Sequence, residues 1–182
     1  MSRMNPIPDA AATPEARAQL HEIRGAFGAV PAMFGTVAHS PAALAAMWGA
    51  FKALGGGRLG AALGEQIAVA VADRNRCDYC LAAHTVLGRK AGVSAEAMAA
   101  AQQGHSADPR TAAALGFAVK LVEDRAQVTG ADLAALRGAG FDDGEIVEMI
   151  AHVALNLFTN YVNVALDVAV DFPRVRLTAR AA

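Results

Sequence analysis

The feature that most constrains this chain is a helix-start signal repeated along its length: a short polar residue followed by proline, as in Thr13-Pro14, Ser40-Pro41 and Asp108-Pro109. The polar side chain accepts a hydrogen bond from the first helical turn, and the proline lacks only an N–H that the first turn leaves unpaired. Apolar residues then recur at helical spacing after each pair. Ala16, Leu20, Ile23 and Phe27 run to Gly28; Leu44, Met47, Trp48 and Phe51 run to Gly55-Gly56-Gly57; Leu115, Ala118, Val119 and Val122 follow Pro109. Between these, Leu63, Ile67 and Val71 predict a helix from about Gly60 to Asp73. Another is predicted from about Cys77 to Ala91, closed by Gly92, and a short one from Ser94 to near Gly104. Thr129 with Asp132, and Asp142 with Glu145, form capping-box patterns. They predict a segment through Arg137 and a long last helix ending before Pro173. No stretch alternates with period two, so the predicted fold class is all-α, with antiparallel helix hairpins joined by short connections.

Hydrophobic residues make up 54% of the chain but aromatics only 5%, because alanine carries much of the apolar count. Small side chains suit close helix packing, and the surplus predicts buried subunit contacts in a homo-oligomer. Sixteen basic residues against seventeen acidic, spread along the chain, leave no electrostatic footprint for nucleic acid or an anionic membrane. The apolar stretch from Ile146 to Val170 is broken by Glu148, His152, Asn156, Asn160, Asn163 and Asp167, which predicts a core helix rather than a lipid-exposed span. The first residues carry no apolar run of signal-peptide length, so a cytoplasmic location is expected. At 182 residues one domain over 1–182 is expected. Residues 1–12 and 174–182 are expected to be arms ordered only by a partner subunit.

The chemistry concentrates at Cys77-Asp78-Tyr79-Cys80. Two cysteines are too few for a disulfide scaffold, and this spacing in an intracellular chain points to redox chemistry or metal binding. Cys77, Cys80 and His84 stand at i, i+3 and i+7, on one face of the predicted helix. The helix dipole favours a thiolate at Cys77. His84, one turn beyond Cys80 but roughly 10 Å along the axis from Cys77, can exchange a proton only with Cys80. If the helices flanking Arg74-Asn75-Arg76 are antiparallel, Glu65 lies level with His84, where a carboxylate raises the basicity of the imidazole and fixes its tautomer. Cysteines at i and i+3 lie roughly 5–6 Å apart at Cβ, more than a disulfide prefers, so closing the bond distorts the first turn and leaves it easy to reduce.

The combination Glu65-x11-Cys77-x2-Cys80-x3-His84, continuing to Arg89-Lys90-Ala91-Gly92, resembles the active-site signature of the alkylhydroperoxidase D-like group within the carboxymuconolactone decarboxylase family. Similarity extends from about Pro14 through Ala154-Leu155-Asn156-Leu157-Phe158-Thr159-Asn160-Tyr161, which resembles a peroxidase-related subgroup. The resemblance implies an all-helical fold assembling as trimers or hexamers, and a cofactor-free peroxidase cycle in which Cys80 attacks and Cys77 resolves. It implies a peroxide substrate, an external thiol or dithiol reductant, and catalytic roles for Cys80, Cys77, His84 and Glu65. Some members carry a histidine immediately before the second cysteine; here that position is Tyr79. The namesake decarboxylases lack the dithiol, which makes lactone decarboxylation a poor reading.

Other readings stand beside this one. The dithiol would also serve a thiol–disulfide relay or redox sensor, and Cys77, Cys80, His84 and Glu65 together offer four ligands to zinc in a non-catalytic helical oligomer. His152 falls in a stripe with Glu148, Asn156 and Asn160 at four-residue intervals, a pattern that more often satisfies buried hydrogen bonds than lines a pocket. His21, His39 and His105 have no partner at catalytic spacing and are read as surface residues. The glycine run at 55–57 is a helix stop, with no lysine of a phosphate loop after it.

Overall fold

The computed structural model describes residues 2–179. Its α-helices are α1 (Pro14–Phe27), α2 (Ala32–Val37), α3 (Pro41–Gly55), α4 (Gly60–Arg74), α5 (Asp78–Lys90), α6 (Ala95–Gln102), α7 (Pro109–Glu123), α8 (Gly130–Gly138) and α9 (Asp143–Leu166). No strand occurs among the described residues. The caps form as predicted: Thr13, Ser40, Ser94 and Asp108 each accept a backbone N–H of the following turn, and Thr129 and Asp142 complete reciprocal capping boxes.

α4 is the centre of the molecule and packs on α5, α6, α7 and α9. Ile67, Val69, Ala70, Val71 and Ala72 are all fully buried, so this helix is apolar nearly all round, as a core helix must be. Close packing with α5 depends on Gly88, where a Cβ would sit 2.5 Å from Met98 Sδ and 3.3 Å from Glu65 Cβ. By length and composition α9 would cross a bilayer. Its inner face carries Met149, Val153, Asn156, Asn160 and Asn163 into the core.

Three features differ from the sequence reading or escape it, each because the deciding contact is distant in sequence. α2 lacks a side-chain cap of its own. Its first amides are met from afar: Asp171 Oδ2 accepts from Ala32 N at 2.7 Å and Tyr79 OH from Met33 N at 3.2 Å. α9 ends before Pro173 as expected, but its stop at Leu166 is set where Asp167 turns left-handed (φ 50°) and Arg3, far away in sequence, takes the last carbonyls. Arg3 N donates to Leu166 O at 2.8 Å, and Arg3 Nη1 to Ala165 O at 2.8 Å and Val164 O at 3.1 Å. Both predicted arms therefore pack on their own chain, the N-terminal one through Arg3 and through Ile7 N on Gly35 O. The C-terminal one, which from Arg180 onward lies outside the described residues, crosses back to the end of α4.

That strap is latched at Asp73, a carboxylate only 2% exposed. Its Oδ1 accepts from Thr178 N at 2.9 Å and Gln102 Nε2 at 2.8 Å, and Thr178 Oγ1 donates to its Oδ2. Burial pushes the Asp73 carboxyl up, but these hydrogen bonds and the charge of Arg76 outweigh it and leave it below the usual carboxylate range. A depressed native value stabilises the fold above the unfolded value near 4 and loses that stabilisation as pH falls through the native one. Asp73→Asn is expected to cost about 2 kcal/mol at neutral pH, about 4–8 °C in melting temperature. The gap from the unaltered protein should close in acid; a gap independent of pH would show that the charge is immaterial.

Candidate active site

The α4–α5 hairpin builds the site. Asn75 ends α4, Arg76 takes a left-handed conformation (φ 58°), and Cys77 N donates back to Ala72 O at 2.9 Å, so the chain reverses within three residues. Cys77 is not in the first turn of α5 but is its N-cap, with its Sγ accepting the Cys80 N–H at 3.2 Å. Cys77 and Cys80 are free thiols, fully and almost fully buried, with sulfurs 2.6 Å apart. The antiparallel register brings Glu65 opposite His84, as predicted, with Glu65 Oε2 2.7 Å from His84 Nδ1. His84 is 8% exposed. The carboxylate fixes a protonated Nδ1 and leaves Nε2 for other work.

The environments push the two thiols apart. Cys77 is driven well above the ordinary thiol range by its hydrogen bond to Cys80, by burial and by the charge that Cys80 carries. For Cys80, burial acts upward, but the Cys77 hydrogen bond, the charge of His84 and the side chains of Asn163 and Asn160 outweigh it and lower it from 9.0 to about 7. Burial also depresses His84, yet the charge and hydrogen bond of Glu65, with a smaller contribution from Cys80, leave it above its ordinary 6.5. The dipole argument for Cys77 therefore loses to local interactions, and Cys80 is the more acidic of the two thiols, beside an imidazole of raised basicity.

Two cavities meet at His84. A small apolar one, about 30 Å³, is lined by Met33, Phe34, Tyr79, Cys80, His84 and Phe172 among others. A larger one, about 110 Å³, lies on the carboxylate side against Gly64, Glu65, His84, His152 and Asn156. Gly64 is required there, since a Cβ would approach His152 Cε1 to 3.2 Å. Tyr79, in the position of the histidine of some relatives, has its ring edge-on to Phe172 (centroids 5.7 Å apart). Its hydroxyl, pushed up by burial, meets Met33 N and Asp171, so this residue ties α2 and the strap over Cys80.

The polar stripe of α9 has divided roles. Glu148 Oε2 accepts from Arg58 N at 2.7 Å and Leu59 N at 3.1 Å, which is structural. His152 and Asn156 line the larger cavity. Asn163 Nδ2 reaches Cys80 Sγ at 3.1 Å, a contact the sequence reading missed. The signal existed: Asn156, Asn160 and Asn163 stand at i, i+4 and i+7, a core spacing occupied by amides. His21, His39 and His105 are exposed. Among the described residues no group of three or more His, Cys, Asp or Glu is arranged to hold a metal ion.

The all-helical fold is that of the alkylhydroperoxidase D core. A peroxidase-related protein of Ralstonia eutropha JMP134, described as an AhpD core, superposes with TM-score 0.85 at 28% identity, covering 93% of this chain and 92% of that one. A peroxidase-related protein of Silicibacter sp. TM1040 gives 0.78 at 26% identity, covering 92% and 87%. The debrominase Bmp8, whose cysteine-to-alanine variant was solved with 2,3,4-tribromopyrrole, gives 0.78 at 20% identity, covering 92% and 91%, a likeness of fold alone. Residues 38–124 match the model of the carboxymuconolactone decarboxylase family. By these likenesses the chain is similar to the AhpD-like proteins of that family. No curated protein matches its sequence.

Proposed function

We propose that this chain is a thiol-dependent peroxidase that reduces hydrogen peroxide or organic hydroperoxides. The observation that carries the reading is the Cys80 sulfur, lowered to about 7 while buried beside a second thiol and a carboxylate-held imidazole. The Cys80 thiolate gives two electrons to the terminal peroxide oxygen: an S–O bond forms as the O–O bond breaks, and the departing alkoxide takes a proton from His84. The Cys77 thiol then attacks the sulfur of the sulfenic acid, releasing water and leaving a disulfide. An external thiol or dithiol returns two electrons to reset the pair. Burial of both sulfurs favours a small oxidant over direct exchange with a protein disulfide, and the cycle fits the cytoplasm, where dithiols are kept reduced.

Anaerobic reduction followed by peroxide titration tests the reading. One peroxide should be consumed per two thiols lost, with the protein mass falling by two hydrogens; thiol loss without that internal disulfide would overturn it.

Assembly follows from α9. Its outer face exposes Val147, Ile150, Phe158, Tyr161 and Val164 along the whole helix, more apolar surface than a lone subunit has reason to show. We propose that it joins copies of this chain into a trimer or hexamer. Sedimentation at micromolar concentration should give a multiple of 18.7 kDa, and Tyr161→Asp with Val147→Asp should dissociate it. A monomeric unaltered protein would exclude this assembly.

A further inference from the structure

Asn160 and Asn163 lie one turn apart on the inner face of α9, 0% and 3% exposed. Buried amides at such positions are costly unless every group is paired. Here the pairing is one-sided. Asn163 Nδ2 donates to Cys80 Sγ at 3.1 Å. Asn160 Oδ1 accepts from Asn75 Nδ2 at 2.9 Å, which anchors the carbonyl end on the turn before Cys77. Asn160 Nδ2 then finds no hydrogen-bond partner among the described residues. The same side chain stabilises charge on Cys80, which places it against the sulfur. The molecule thus holds one donor on the Cys80 sulfur at hydrogen-bond distance and keeps a second near it that helps hold the charge without a well-formed hydrogen bond of its own.

We propose that Asn160 and Asn163 form an amide pair that holds the negative charge of Cys80, first on the sulfur and then on the oxygen the sulfur acquires. The first half needs only a thiolate; the second half rests on the peroxidase reading. A donor whose hydrogen bond is completed only as charge moves onto the new oxygen binds the transition state better than the resting thiolate, which is the condition for raising a rate rather than an affinity. Neutral amides suit this task. A lysine or arginine would depress the thiol further, and nucleophilicity falls with thiol acidity. Asn163, touching the reacting atom, is a catalytic residue in this scheme, as is Asn160 once the oxygen arrives. Asn75 is a positioning residue, since its side chain fixes which end of Asn160 faces the thiol.

The test uses Cys77→Ser protein, so that Cys80 is the only thiol, and measures its alkylation by iodoacetamide across pH. Asn163→Ala is expected to move the inflection up by about one pH unit, the worth of one hydrogen bond to a charged group. Asn163→Asp, of the same size but with acceptors for donors, should move it further. Asn160→Ala should move it less. Its larger effect should be at least a tenfold slowing of sulfenic acid formation, measured above the inflection where every Cys80 is ionised. Circular dichroism of each variant controls for folding. If the asparagines serve packing alone, the variants melt earlier while the inflection and the high-pH rate stay put, and the proposal is overturned. If the inflection moves but the Cys77→Ser protein with both asparagines intact forms no sulfenic acid, the amide pair stands as a thiolate holder and it is the peroxidase reading that falls.

Discussion

Cys80→Ser should abolish reaction with peroxide, while Cys77→Ser should react once and accumulate a sulfenic acid that cannot resolve. Chemistry at Cys77 would have followed from the helix dipole, and the Cys80 N–H on its sulfur acts the same way, but the hydrogen bond between the two sulfurs, burial and the charge of Cys80 outweigh both and push Cys77 up. Cys80 has the opposite surroundings: a donor from Asn163, the charge of His84 one turn on, and a value lowered to about 7. Loss of the attacking sulfur removes the whole reaction, whereas loss of the resolving sulfur removes only the second step. Trapping with a sulfenic-acid reagent and locating the adduct by mass spectrometry distinguishes them. An adduct on Cys77 in Cys80→Ser, with none on Cys80 in Cys77→Ser, reverses the assignment.

His84→Ala should slow the same step by about 100-fold or more, the ordinary range for losing a positioned general acid. Glu65→Gln should slow it by about tenfold, because it alters the imidazole without removing it. The pH profile carries the sharper signature. Attack needs Cys80 ionised and His84 protonated, so the rate should rise through about 7 and fall again as pH passes the raised native value of His84. The two limbs belong to an interacting pair rather than to either residue alone. Glu65 raises His84 by charge and by its hydrogen bond, so Glu65→Gln should draw the alkaline limb downward and narrow the bell. An alkaline limb that stays in place in Glu65→Gln would mean that another group returns the proton.

What could be read in advance, and what could not, divides by distance along the chain. Thr13, Ser40, Asp108 and the two capping boxes announce helices because cap and helix are within three residues of each other. Glu65 and His84 were paired from the sequence because a tight turn makes register a matter of counting. α2 escaped because its caps come from Tyr79 and Asp171, and the end of α9 because Arg3 decides it. Asn163 escaped for the same reason: nothing near it in sequence tells which core residue its amide will meet. The electrostatic argument for Cys77 is reversed not by its place at the helix start, where it is the cap, but by the Cys80 sulfur 2.6 Å away and by burial, neither of which a helix-dipole argument contains.

The site therefore has parts of two ages. Glu65 and His84 are 19 residues apart and meet as soon as one hairpin closes, an event of low contact order that belongs to the early stages of folding. Asn163 comes from 83 residues beyond Cys80, and the strap that covers it arrives later still from the end of the chain. A chain still emerging from the ribosome, or caught partly folded, carries the full set of hairpin residues yet lacks the Asn163 contact on Cys80, so on the proposed peroxidase reading the sulfur is tuned only by completion of the fold.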